Sequence, residues 1–200
     1  SKKIVGVITT SDVIRSHAKD TVDRLKDLGL DVGILTGDNR YVAEFVANEL
    51  NVKTVLSEVL PGSKSNEIKK MQAKGLTVGM VGDGINDAPA LAQADLGIAV
   101  GSGADVAIEA SDITLMTNDL RAVVVAIELS KKTMAKVKQN LFWAFFYNCL
   151  GIPIAAGVLY PTFGILLNPV HAAFAMAFSS VSVVSNSLLL QRFNRKSRIC

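Results

Sequence analysis

The sequence predicts an α/β domain on a parallel sheet, followed by a hairpin of two apolar helices, and three observations carry that prediction. Short β-branched runs alternate with amphipathic stretches through the first 120 residues. Residues 139–191 then form 53 consecutive positions without Asp, Glu, Lys or Arg. Basic residues stand on both sides of that run: Lys131, Lys132, Lys136 and Lys138 before it, Arg192, Arg195, Lys196 and Arg198 after it. Apolar strands separated by helices make a parallel sheet covered on both faces. An uncharged run of that length has room for two bilayer spans of about 20 residues and a turn.

The elements follow in order. Strands are predicted over 4–9, 31–35, 54–56, 77–81, 96–100 and 113–116, where β-branched and aliphatic residues cluster. Helices are predicted between them over 16–28, 40–50, 63–72 and 86–94, where apolar residues recur at helical spacing. Residues 121–138 read as a cytosolic helix leading to the membrane. The uncharged run divides into transmembrane helices over about 140–160 and 169–190, joined by a loop in which Pro161 and Pro169 bracket Gly164. Excess Lys and Arg at both ends place those ends, and the basic tail 192–200, in the cytoplasm. The competing reading is a buried helical pair in a large soluble core, against which stands the lack of a polar face on either helix.

Charge and composition exclude other classes. Residues 1–138 hold 17 of the 21 basic and all 18 acidic residues, a balance of −1, and the tail adds four, so the formal +3 arises at the edge of an apolar stretch. A phosphate-backbone surface needs Lys and Arg clustered on a folded face, so no nucleic-acid partner is expected. Half the residues are hydrophobic, which excludes disorder, and two cysteines, Cys149 and Cys200, do not make a disulfide framework. The chain opens on Ser1-Lys2-Lys3 with no cleavable signal peptide, a start expected of a fragment.

Two strand ends carry unusual chemistry. The strand over 31–35 runs into Thr36-Gly37-Asp38-Asn39 and a helix. A hydroxyl, a glycine that lets the backbone come close and helix N-terminal amides are the parts of an anion cradle, although such a turn also serves simply to cap a helix. The strand over 77–81 runs into Gly82-Asp83-Gly84-Ile85-Asn86-Asp87-Ala88-Pro89, two carboxylates and an amide within five residues. Hard cations such as Mg²⁺ take such oxygen ligands, and two converging acids repel unless a cation lies between them. Between the two loops Pro61-Gly62-Ser63-Lys64 opens a helix, and Lys64 can neutralise a phosphoryl group as a point charge. Together these describe a Mg²⁺-dependent phosphoryl-transfer site working by charge neutralisation and positioning.

Thr36-Gly37-Asp38-Asn39, followed by Gly82-Asp83-Gly84-Ile85-Asn86-Asp87-Ala88-Pro89-Ala90-Leu91, resembles the P-type ATPases, and nearly the whole chain is similar to their heavy-metal branch. The resemblance implies a haloacid-dehalogenase-like Rossmannoid sheet over 1–120 as the later part of a phosphorylation domain. It also implies an aspartyl-phosphate intermediate and ATP hydrolysis coupled to ion export. By it, Thr36, Gly37 and Asp38 help hold the phosphoryl group, Lys64 binds it, Asp83 coordinates Mg²⁺, and Asn86 and Asp87 complete the shell. Tyr147-Asn148 in the first span and Met176 with Ser180 in the second resemble the monovalent-copper members, which implies Cu⁺ as transported substrate. A thioether suits soft Cu⁺, and polar groups inside a membrane are expensive enough to suggest function, while packing is the alternative for Met176 and the serines. Neither span carries an acid, which argues against an ion held there by carboxylates. Cys149 is read as a packing residue.

What is missing from the pattern matters equally. The family's Asp-Lys-Thr-Gly-Thr nucleophile motif, its nucleotide-binding insertion, its Thr-Gly-Glu loop and its Cys-Pro-Cys membrane motif do not occur; the nearest Asp, Asp12, lacks the flanking residues. The chain alone is therefore expected to be inactive and to need the rest of the pump: actuator, ATP-binding and further transmembrane segments, membrane lipid, and a copper chaperone as a candidate donor. The expected location is an integral, multi-pass membrane protein with its phosphorylation domain in the cytoplasm. The alternatives are a dehalogenase-like phosphatase and a non-catalytic membrane-anchored module.

Overall fold

A computed structural model describes residues 13–83, 85–101, 105–164 and 169–190. The chain divides into two compact units, 1–124 and 125–200. The strand expected over 4–9, Asp12, Gly84 and the basic tail lie outside the described residues.

In the first unit helices and strands alternate: α1 Ala18–Asp27, β1 Gly33–Leu35, α2 Arg40–Glu49, β2 Thr54–Leu56, α3 Lys64–Ala73, β3 Gly79–Gly82, α4 Ala88–Gln93, β4 Leu96–Val100, α5 Asp105–Glu109 and β5 Ile113–Leu115. Single 3-10 turns, Pro61–Ser63 and Ile85–Asp87, lead into α3 and α4. All strand pairs are parallel, with β1 on β2 and β3-β4-β5 in a second sheet. The expected α/β alternation is present. Strand β3 begins two residues later than expected because the Val78 N–H donates to the Asp95 carboxylate at 2.8 Å rather than to a ladder partner. Helix α5 was not expected, since five residues are too few to show a helical period.

Two cores fix the strand ends. Ala18 and Val22 of α1 meet Ala47 of α2, Leu50 at its C-terminal cap and Val52, with Ile34 and Val55 packed against them. Ile68 of α3, Met80 of β3 and Ala90 and Leu91 of α4 form the second core, and Leu35, the last residue of β1, packs into it. The carboxyl end of β1 is thereby held beside the layer that carries β3. Burying a side chain such as Leu91 contributes roughly 1.5–3 kcal/mol. Helix α4 lies so close to β4 that a Cβ on Gly97 would sit 2.6 Å from the Leu91 carbonyl oxygen.

The second unit continues α6, Arg121–Ala155, as one 35-residue helix, merging the helix expected over 121–138 with most of the first expected span. The change from lysine-rich to uncharged sequence alters the helix surface and leaves its backbone propensity intact. The helix stops short of residue 160 where Gly157 takes a φ of 87°. Pro153 within it has no N–H for the Cys149 carbonyl. A single turn, α7 Tyr160–Phe163, ends at Gly164, and α8 runs Pro169–Leu188. Among the described residues no helix is long and apolar enough to cross a membrane. Gln139, Asn140 and Asn148 in α6, and five serines with Asn186 in α8, dilute the hydropathy.

Candidate functional site

The loop after β1 is fixed by its own backbone. The Thr36 N–H donates to the Leu56 carbonyl at 2.9 Å, extending the β1–β2 ladder by one rung. The Val59 N–H returns to the Thr36 carbonyl at 3.1 Å, and the Glu58 N–H to the Asp38 carbonyl at 2.9 Å. The Thr36 hydroxyl donates to Asp38 Oδ2 at 2.7 Å and accepts from the Asp38 N–H at 3.1 Å. A Cβ on Gly37 would meet the Val59 carbonyl oxygen at 3.4 Å, a tight fit at the point where the two loops touch. Asn39, not Asp38, caps α2, its Oδ1 accepting from the Val42 N–H at 3.0 Å. Asp38 is thus left at the strand end with its carboxylate turned onto Thr36.

The loop after β3 is organised by charge. Lys64, the first residue of α3, reaches Asp87 with Nζ 2.7 Å from Oδ1, and both side chains are mostly buried, at 15% and 14% exposure. The pair needs Gly82, because a Cβ there would lie 2.8 Å from the Asp87 Cβ and 3.0 Å from its Oδ2. Asp83, one residue on, is half exposed and accepts from the Arg15 guanidinium at 2.6 Å. Asn86 is exposed in the turn between the two acids.

The structure therefore joins Lys64 to Asp87 and Thr36 to Asp38, and places Asp83 on a different partner from Asp87. Arg15 is the residue that sequence reasoning missed. It stands 68 positions from Asp83, and nothing in its local sequence marks it, since the contact exists only once the chain before α1 meets the loop after β3. Among the described residues no three His, Cys, Asp or Glu gather into a cluster that could hold a metal. The donor set still fits Mg²⁺, which is usually held by one or two carboxylates with waters and a substrate phosphate completing the shell. Asp83 is the more exposed carboxylate, and the absence of a side chain at Gly82 lets Asp87 lie against the end of β3.

In the second unit Tyr147 and Asn148 lie on α6, both exposed. The Asn148 amide donates to the Ala144 carbonyl at 3.0 Å. Tyr147 stacks on Trp143, ring centres 5.8 Å apart and planes at 29°. Ser180 is on α8, as is Met176, whose side chain lies outside the description. Cys149, read as packing, is exposed.

Residues 1–95 match the family model described as haloacid dehalogenase-like hydrolase. Over 191 residues the chain is 59% identical to the probable copper-exporting P-type ATPase of Archaeoglobus fulgidus, an alignment covering 96% of this chain and 24% of that protein. Among solved structures, a zinc-transporting PIB-type ATPase in an E2.Pi state superposes with a TM-score of 0.76 at 34% identity, over 90% of this chain and 28% of that one. The catalytic domain of the CPx-ATPase CopB-B superposes at 0.54 with 39% identity, over 58% of this chain and 46% of that one. The chain spans about a quarter of the length of the curated relatives it matches. A match over nine tenths of the chain takes in both compact units and both acidic strand ends, and the chain belongs to the heavy-metal P-type ATPases.

Proposed function

We propose that the chain forms the later part of the phosphorylation domain, residues 1–120, and two membrane helices of an ATP-driven pump that exports Cu⁺. The observation that carries the phosphoryl-transfer half is the mostly buried Lys64–Asp87 pair beside Asp83 at the carboxyl end of β3, where ligands of parallel sheets bind. Lys64 presents its ammonium to the phosphoryl group, and Asp87 keeps it aimed between turnovers. Thr36 offers its hydroxyl and Asp38 fixes that hydroxyl's direction. Asp83, with Asn86 and Asp87, would hold Mg²⁺, which when bound supplies charge neutralisation for the transferred group. The nucleophile and the ATP site belong to parts of the pump outside this sequence, so the chain alone is inactive.

Membrane insertion of α6 and α8 is supported by how the second unit distributes its polarity. Phe142, Phe145, Phe146, Leu150, Ile152, Val181 and Val184 are 42–68% exposed and want a nonaqueous neighbour. Three polar side chains among them are bonded to their own helix: Asn148 to the Ala144 carbonyl, Ser182 to that of Ser179 and Ser187 to that of Val183. Internal satisfaction is what hydrocarbon demands. Copper as cargo rests on the similarity to copper-exporting relatives and on Tyr147, Asn148, Met176 and Ser180 as soft and polar ligands. In the full-length pump Met176→Leu should raise the Cu⁺ concentration giving half-maximal ATPase activity by about tenfold or more, while phosphorylation from inorganic phosphate stays normal. An unchanged copper response would remove Met176 from the ligand set.

A further inference from the structure

The second unit contains a polar cluster for which the proposed chemistry has no use. Asn186 of α8 is its hub. Its Oδ1 accepts from the Lys136 ammonium at 2.6 Å, and its Nδ2 donates both to Asn140 Oδ1 at 2.7 Å and to Gln139 Oε1 at 3.1 Å. That uses both donors of the amide and its acceptor. The Asn140 Nδ2 continues to the Ser187 hydroxyl at 3.0 Å, and Ser187 donates on to the Val183 carbonyl at 2.9 Å. Lys136, Asn140 and Asn186 are all half-buried. Residues 46 to 50 positions apart are thus tied at one level of the helix pair.

The arms beyond that level match in length. Asn140 to Ala155 rises about 23 Å along α6, and Pro169 to Asn186 about 26 Å along α8. From the cluster, Tyr147 and Asn148 lie about 11–12 Å along one helix, and Ser180 and Met176 about 9–15 Å along the other. In the register that these hydrogen bonds set, the two candidate ligand pairs come level. We infer that the Lys136–Gln139–Asn140–Asn186–Ser187 cluster is a register clasp that positions Tyr147 and Asn148 against Met176 and Ser180. The inference rests on the copper reading above for what is positioned, and on the hydrogen bonds alone for the register. Asn186→Leu removes the bonds from Lys136, Gln139 and Asn140 to Asn186, and leaves Asn140–Ser187 as the one tie of this cluster between the helices, with Lys136 still on Gln139 at 3.3 Å.

The test has two arms. In the 200-residue chain in detergent, with Cys149 and Cys200 changed to Ser, an Ala144→Cys, Ser182→Cys pair is oxidised with iodine. Each position is four residues from the clasp, about 40° round its helix and about 6 Å along it, which keeps both near the interface at one level while the register holds. Asn186→Leu should lower the cross-linked yield at least fivefold. In the full-length pump Asn186→Leu should raise the half-activating Cu⁺ concentration about tenfold while maximal turnover falls less than threefold. Unchanged cross-linking overturns the clasp, and lost cross-linking with unchanged copper activation overturns its positioning role. Should Asn186→Leu fail to fold, Asn140→Ala keeps the Lys136–Asn186 bond and is read by the same two assays. Tyr147→Phe is measured alongside. If it leaves copper activation flat while Asn186→Leu still loses the cross-link, the clasp stands and the copper site is rejected.

Discussion

Lys64→Ala should loosen one segment of the first unit and leave the rest alone. The Lys64–Asp87 pair is 2.7 Å long, and its side chains are 15% and 14% exposed, so removing the ammonium strands a carboxylate that has little access to water. A hydrogen bond to a charged group contributes about 1.5–3 kcal/mol. The residual exposure keeps the loss below the roughly 3–5 kcal/mol of a fully buried pair broken on one side. At about 1.4 kcal/mol per tenfold, amides in β3 and α4 should exchange with solvent about ten to a hundred times faster. Peptides covering residues 79–93, followed by hydrogen exchange and mass spectrometry on the detergent-solubilised chain, read this directly. Amides of α1 and α2, which belong to the other core, should not change. Lys64→Met combined with Asp87→Leu removes both charges and should recover most of the protection. Less than a twofold change in the single variant would refute the argument that the pair holds the loop.

Other consequences follow from the same geometry. Gly82→Ala puts a Cβ 2.8 Å from the Asp87 Cβ, so the full-length variant should lose at least tenfold in phosphoenzyme level, and a wild-type level would show that Asp87 can shift without consequence. The Asp95 carboxyl is held below the usual carboxylate range by the Val78 N–H and the Gln72 amide, and that of Asp119 by its hydrogen bond from Arg121. Both titrate lower folded than unfolded, so the stability they add is complete above roughly pH 4 and is lost as pH falls through their lowered values. Asp95→Asn with Asp119→Asn should therefore flatten the acid limb of melting temperature against pH, and an unaltered limb would refute the assignment.

How much was legible depended on whether the signal was local. The β1–β2 pair and the loops at Thr36 and Gly82 were readable because β-branched runs and glycine-acid turns are written in adjacent residues. Leu96–Val100 was placed without error because four of its five residues are buried, which leaves an unbroken apolar run. The start of β3 was missed because Asp95, 17 positions from Val78, takes the hydrogen bond that would have extended the strand. Arg15 on Asp83, and the Asn140–Asn186 contact, were invisible for the same reason: each partner looks ordinary in its own stretch, and only packing brings them together. The boundary drawn at residue 138 followed a change of surface polarity, and α6 passes through that change as one unbroken helix.

Asp83 is the carboxylate on which the proposed phosphoryl transfer depends. The most direct measurement is acid-stable labelling of the full-length pump with radioactive ATP in the presence of Mg²⁺ and Cu⁺, comparing wild type with Asp83→Asn. The amide keeps the volume and can still accept from Arg15, 2.6 Å away in the native protein, so the loop should stay folded. Labelling reduced by a hundredfold or more is the predicted result; labelling at the wild-type level would contradict the account.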